Sequence, residues 1–116
     1  MLKVSIVTVC FNCENTIEST IISVLNQNYK NIEYIIIDGS STDNTTKIIN
    51  KYKDKIKVVI SEKDNGIYNA INKGIKLATG DIISLIHGND IFANYEVVRE
   101  AVQHFKNDEK MDILIG

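Results

Sequence analysis

The chain has 116 residues, is 44% hydrophobic and 24% charged, and carries a net charge of −2. That length suits one domain, residues 1–116, able to bury a core without disulfide or metal support. The slightly acidic balance argues against a nucleic-acid partner, which calls for a basic surplus, and no stretch approaches the ~18 apolar residues of a membrane span.

The opening Met1-Leu2-Lys3-Val4-Ser5-Ile6-Val7 has no signal-peptide pattern and reads as the start of a strand, so the expected compartment is cytoplasmic. Residues 3–10 form that strand. Residues 15–27 read as a helix, with Ile17, Ile21, Ile22, Val24 and Leu25 mostly on one face. Residues 33–38, with Tyr34-Ile35-Ile36-Ile37, form a second strand that hardly alternates, as strands of a parallel sheet covered on both faces do. Gly39-Ser40-Ser41-Thr42 is a turn with capping chemistry before a helix over 43–52. A third strand at 57–60 leads to Gly66 and a helix over 67–78, with Gly80 as a stop signal. A fourth strand at 81–86, the loop His87-Gly88-Asn89-Asp90, a helix over 95–106 and a further strand from Asp112 complete the chain.

Strands alternating with helical segments predict an α/β fold with a mainly parallel sheet between helices. The expected strand order is 3-2-1-4, in which the connections of the first and fourth strands leave in opposite directions. Ligands in such sheets bind outside the carboxyl ends of the strands at that reversal. Four loops meet this condition, those after Cys10, Asp38, Ile60 and Ile86.

Phe11, after the first strand, offers a ring for stacking on a nucleobase or packs at the sheet margin; the residue alone leaves both open. Asp38 ends an apolar strand and could accept hydrogen bonds from a base or a ribose, and Gly39 beside it permits a turn and close ligand approach. Ser41, Thr42 and Asp43 are assigned to capping the next helix. Asp64 could touch ligand, but Asp64-Asn65-Gly66 is also ordinary turn chemistry, which spacing alone favours. Asp90 is a hard oxygen ligand that could share a divalent cation with a diphosphate, the phosphates supplying most other ligands.

In order and spacing these segments resemble the inverting glycosyltransferases of family two, with the GT-A fold. The carrying motifs are Val4-Ser5-Ile6-Val7-Thr8-Val9-Cys10-Phe11-Asn12 and Ile35-Ile36-Ile37-Asp38-Gly39-Ser40-Ser41-Thr42-Asp43. They continue with Ser61-Glu62-Lys63-Asp64-Asn65-Gly66-Ile67-Tyr68-Asn69-Ala70-Ile71-Asn72-Lys73-Gly74, then Ala78-Thr79-Gly80-Asp81-Ile82-Ile83 with Asn89-Asp90. The resemblance implies a Rossmann-like three-layer α/β/α domain that binds a nucleotide sugar through Val9, Phe11, Asn12, Asp38, Asp64, Asn89 and Asp90. Phe11 stands where the family has tyrosine beside the base, and Val9 would offer backbone groups there. Asp90 matches the last acid of the metal motif, implying Mn2+ or Mg2+. The implied reaction moves a sugar from a nucleoside-diphosphate donor, UDP-linked, to the hydroxyl of a glycan or lipid-linked acceptor in polysaccharide synthesis. Peripheral membrane association of the full enzyme and self-association of this chain are further expectations.

Two departures stand out. Asn89 replaces a frequent aspartate and brings no charge, and His87 replaces a frequent asparagine. Family domains also run longer. The acceptor site and the general base that deprotonates the acceptor are expected beyond residue 116, so the chain is expected to be a truncated donor half with no assignable catalytic residue. The alternative is a non-catalytic nucleotide-binding or assembly module.

Other classes fail on particular residues. Cys10 and Cys13 form a Cys-x-x-Cys pair after a strand, the pattern of a thiol oxidoreductase, but a chain without proline lacks the cis-proline such sites use. A phosphoacceptor receiver needs an acidic pair after the first strand, where Cys10-Phe11-Asn12-Cys13 stands. A dinucleotide fold needs a glycine-rich turn there, yet no glycine precedes Gly39. Two cysteines with His87 and His104 match no structural zinc spacing.

Overall fold

The computed structural model describes residues 1–108 and 113–115. Its elements are β1 (Val4–Cys10), α1 (Ile17–Leu25), β2 (Ile32–Asp38), α2 (Thr45–Asn50), a 3-10 turn (Lys53–Lys55), β3 (Val58–Ser61), α3 (Ile67–Leu77), β4 (Ile82–His87), α4 (Val97–Asp108) and β5 (Ile113–Ile115). All five strands are parallel, in the order β3-β2-β1-β4-β5. The 3-2-1-4 core of the sheet is as expected. The expected start of the last strand, Asp112, lies outside the described residues, and Ile113–Ile115 adds a fifth strand beside β4.

Alternation along β1 and β2 builds three layers. Val4, Ile6, Tyr34 and Ile36 point to one face, where Ile17, Ile21 and Val24 of α1, Ile49 of α2, and Val98, Val102 and Phe105 of α4 cover them. Val7, Val9, Ile35 and Ile37 point to the other face, with Leu85, against Ala70 of α3. With both faces buried, side chains of either parity must be apolar, which is why β2 reads as a continuous isoleucine run. Thr8 and Tyr34 are exceptions that pair, sharing a 2.8 Å hydroxyl hydrogen bond in the core, whereas the buried Ser84 hydroxyl of β4 has no partner among the described residues. α3 approaches β1 closely because Gly74 has no side chain; a Cβ there would lie 2.3 Å from Val7 Cγ1.

Helix bounds differ from the periodic expectation where side chains do other work. α2 begins at Thr45, because the Asp43 carboxylate accepts the Thr45 N–H (2.9 Å) in an Asx turn outside the helix. α1 ends at Leu25, and Gln27 becomes a clamp on α4. Its Oε1 accepts the Val98 N–H (3.0 Å) and its Nε2 donates to the Asn94 carbonyl (2.7 Å).

At the amino ends of the strands, Glu33 is buried under Lys3, Lys57, Ser5 and Thr79. Burial alone would raise its carboxyl. Hydrogen bonds from Thr79 N and Oγ1, from Ser5 and from Lys3 outweigh that and hold it at about 2. No helix among the described residues is long and apolar enough to cross a membrane.

Candidate functional site at the carboxyl ends of the strands

The connections of β1 and β4 diverge at their carboxyl ends, and there the surface opens into a cleft of about 570 Å³. Its walls come from three segments: Val9 to Cys13 with Asn15 and Thr16; Asp64, Gly66, Ile67 and Ala70; and His87 to Asn89. Val9 and His87 are register partners on the adjoining strands, so the cleft floor is the β1–β4 seam itself. Phe11 stands 60% exposed at this opening. It is a free ring at the cleft wall, not a core residue.

Two helices start at the cleft. α1 begins just after Asn15 and Thr16, and α3 begins at Gly66 and Ile67. Neither start has a side-chain cap. At α1 the Thr16 and Ile17 N–H groups already donate to the Cys13 carbonyl (3.1 and 2.9 Å), so α3 is the start whose first-turn N–H groups, at the positive end of the helix dipole, are the readier donors to an anion. Gly66 adopts φ +113°, a left-handed conformation natural to glycine, while its N–H bonds the Asp64 carboxylate (3.1 Å). Asp64 thus both shapes the turn before α3 and lines the cleft.

Asp38 lies directly beneath. It is fully buried, and its carboxylate takes the Ser41 N–H (3.0 Å), the Ser41 hydroxyl (2.5 Å), the Ser61 hydroxyl (2.8 Å) and the Cys10 thiol (3.5 Å). A buried carboxylate needs about this many donors to remain in place. Ser41 is therefore a bridge and not a helix cap, because its oxygen also accepts the Asn12 N–H (2.8 Å). Asn12 completes the link by accepting the Thr42 N–H on Oδ1 (2.8 Å). Asn12 and Ser40 both take positive φ, +49° and +69°, a region asparagine tolerates better than most residues. Gly39 lies close against Asp64, whose Oδ2 would be 2.9 Å from a Cβ there.

The loop after β4 is fastened to α1. The Gly88 N–H donates to the Val9 carbonyl (2.9 Å), Thr16 Oγ1 donates to the Gly88 carbonyl (2.9 Å), and Thr20 Oγ1 donates to the Asp90 carbonyl (2.5 Å). This presents Asn89 to the cleft and leaves Asp90, one residue beyond the lining, exposed. Among the described residues no group of three or more His, Cys, Asp or Glu side chains could hold a metal ion. Asp90 and Asn89 offer hard oxygen donors, so the donor set suits a Mn2+ or Mg2+ shared with a diphosphate and not one caged by protein alone.

Cys10 and Cys13 also line the cleft, as free and partly exposed thiols. The neighbouring Cys13 side chain, burial and the Asp38 carboxylate together push the Cys10 thiol strongly up. The neighbouring Cys10 side chain lowers Cys13.

Of the residues expected from sequence, the cleft brings together Val9, Phe11, Asn12, Asp64 and Asn89. Asp38 sits behind this wall, and Asp90 beside it. Sequence reasoning missed the contribution of Asn15, Thr16, Gly66 and Ile67, although each begins a helix that follows a strand, which places it at the same edge. It left His87 without a role; the structure sets His87 at the cleft floor.

The chain matches the family model described as Glycosyl transferase family 2 over residues 5–115. It belongs to that family. This family 2 chain is 40% identical over 114 residues to the Escherichia coli UDP-Glc:alpha-D-GlcNAc-diphosphoundecaprenol beta-1,3-glucosyltransferase WfaP, a match covering 96% of this chain and 44% of WfaP. The chain thus spans less than half the length of that relative. Its fold is shared with Staphylococcus aureus TarS 1–349, solved with UDP-GlcNAc, at a TM-score of 0.83 and 23% identity over 93% of this chain and 32% of that one. It is shared equally with the Pyrobaculum calidifontis mannosyltransferase PcManGT, solved with GDP-Man and Mn2+, at a TM-score of 0.83 and 20% identity over 90% of this chain and 32% of that one. The GT-A architecture expected from the motifs is the architecture found.

Proposed function

We propose that this chain forms the donor site of a glycosyltransferase. It binds a nucleoside-diphosphate sugar, UDP-linked, and presents the sugar to a hydroxyl of a glycan or lipid-linked acceptor in polysaccharide synthesis. The observation that carries this reading is the single cleft into which Phe11, Asp64 and Asn89 converge from three separate strand tips. WfaP, by its name, uses UDP-Glc and a diphosphoundecaprenol-linked acceptor, which supports a UDP donor here.

Each part of the ligand has a matching surface. The exposed Phe11 ring offers a face to the uracil, worth about 1–3 kcal/mol by analogy with base–aromatic stacking elsewhere, and Val9 offers main-chain groups. Asp38 reaches base or ribose by exchanging a serine hydroxyl for a ligand N–H or O–H, so ligand binding and loop rearrangement are linked. The start of α3, which has no side-chain cap, faces the diphosphate. Asn89 hydrogen-bonds a ribose or sugar hydroxyl. Asp90 would hold a divalent cation that neutralises charge on the departing diphosphate. Inversion requires the acceptor to attack opposite that leaving group after losing its proton to a base, and no cleft residue is assigned to this base.

Titration calorimetry with UDP, GDP and inorganic phosphate, with and without Mn2+, tests the reading. UDP binds more tightly than the other two, and omitting Mn2+ weakens it roughly tenfold or more, a loss of about 1.4 kcal/mol. In Asp90→Ala the affinity no longer depends on the cation. Equal heats from UDP and phosphate, or an unaltered cation dependence in Asp90→Ala, contradict it.

A further inference from the structure

The two thiols in the cleft are not used by the proposed donor chemistry, yet they stand at its centre. A single point in space, the place a Gly88 Cβ would occupy, lies 2.6 Å from Cys10 Cβ and 2.7 Å from Cys13 Sγ. Gly88 therefore opens the room in which both cysteine side chains meet. The Cys10 thiol also lies 3.5 Å from the Asp38 carboxylate. Between the cysteines stand Phe11 and Asn12, and Cys13 is pinned by its N–H to Thr45 Oγ1 (2.9 Å). Both cysteines line the cleft and are partly exposed, within reach of solutes that enter it.

We propose that Cys10 and Cys13 form a reversible disulfide modification site whose co-reactant is a low-molecular-weight disulfide, and that its oxidation closes the donor cleft to nucleotide. The consequence for nucleotide rests on the functional reading above; the disulfide itself does not. Cys13, the more readily ionised thiol, releases its proton to solvent and attacks one sulfur of the small disulfide. The S–S bond breaks, and one thiolate leaves and is protonated by water. Cys10 then gives up its proton to solvent and attacks Cys13 Sγ; the bond between Cys13 and the small molecule breaks, and the second thiolate leaves and is protonated by water. Two protein thiols are oxidised to one disulfide, and one small disulfide is reduced to two thiols.

Bonding draws the sulfurs to about 2.05 Å. It also removes the proton that Cys10 donates to Asp38. The disulfide closes a ring around Phe11 and Asn12, the loop that the Asn12 bonds to Ser41 and Thr42 hold in its reduced form. In a reducing compartment the pair rests as dithiol, so the modified state reports oxidation.

The chain is equilibrated with glutathione disulfide, its free thiols are counted by alkylation and mass spectrometry, and UDP affinity is measured before and after. Both thiols become resistant to alkylation with no glutathione retained. The UDP Kd rises roughly tenfold or more, and dithiothreitol restores both readouts. In Cys13→Ser the Kd, whatever its value, is the same before and after oxidant. Retention of two alkylatable thiols, a stable glutathione adduct, or an unchanged Kd across complete disulfide formation overturns the proposal. If the reduced chain binds no nucleotide at all, the functional reading and the proposed closure fail, and the thiol count still decides the disulfide.

Discussion

Phe11 and Ser41 separate two kinds of work at the cleft. Phe11 is 60% exposed, so Phe11→Ala removes little buried surface and leaves thermal stability within about 0.5 kcal/mol. The same change weakens UDP binding by about 1–3 kcal/mol if the ring stacks on the base. Equal affinity in the variant and the parent, measured by calorimetry, removes Phe11 from the site. Ser41 joins the Asp38 carboxylate to the Asn12 main chain, so Ser41→Ala leaves a buried carboxylate short of a donor and costs about 1–3 kcal/mol in denaturant unfolding. Glu33, at the far edge, carries a pH signature instead. Its folded value of about 2 lies below the usual 4.5, so its contribution is fully present above pH 4.5 and is lost as pH falls towards 2. That contribution is about 3 kcal/mol. Urea titrations of Glu33→Gln across that window show a flatter acid limb than the parent; parallel limbs contradict the assignment.

Among the elements, α3 and α1 position the site from opposite faces of the sheet. α3 seats on β1 through Gly74, where a Cβ would collide with Val7. Gly74→Ala gains about 1 kcal/mol of helix propensity but costs about 1–3 kcal/mol in overpacking. The net change in chemical denaturation is a loss of stability, and a gain would show that the helix can shift freely. The sequence makes these elements readable for a plain reason: continuous Ile and Val runs announce parallel strands, and amphipathic spacing announces the helices between them. Helix ends are less readable, because Asp43 and Gln27 form hydrogen bonds outside their own helices. No local pattern shows that Gln27 will cap a helix some seventy positions later in the chain.

At the scale of the whole molecule, the sheet order alone brings residues 9–13, 64–67 and 87–89 to one edge. That placement followed from the alternation of strands and helices, and motif order supplied the family. Side-chain burial did not follow. A strand-end aspartate looks the same in sequence whether it faces ligand or is enclosed, as Asp38 is, by Ser41, Ser61 and Cys10. Nor could spacing show that Thr16 and Thr20 fasten the Gly88–Asp90 main chain. The central claim is that separated strand tips form one diphosphate-binding site. Amide chemical-shift mapping of the labelled chain titrated with UDP and Mg2+ tests it most directly. The large changes are expected to fall together in residues 9–13, 64–67 and 87–90. Saturating UDP that shifts none of these segments, or shifts mainly the opposite edge around Lys3, Lys57 and Thr79, contradicts it.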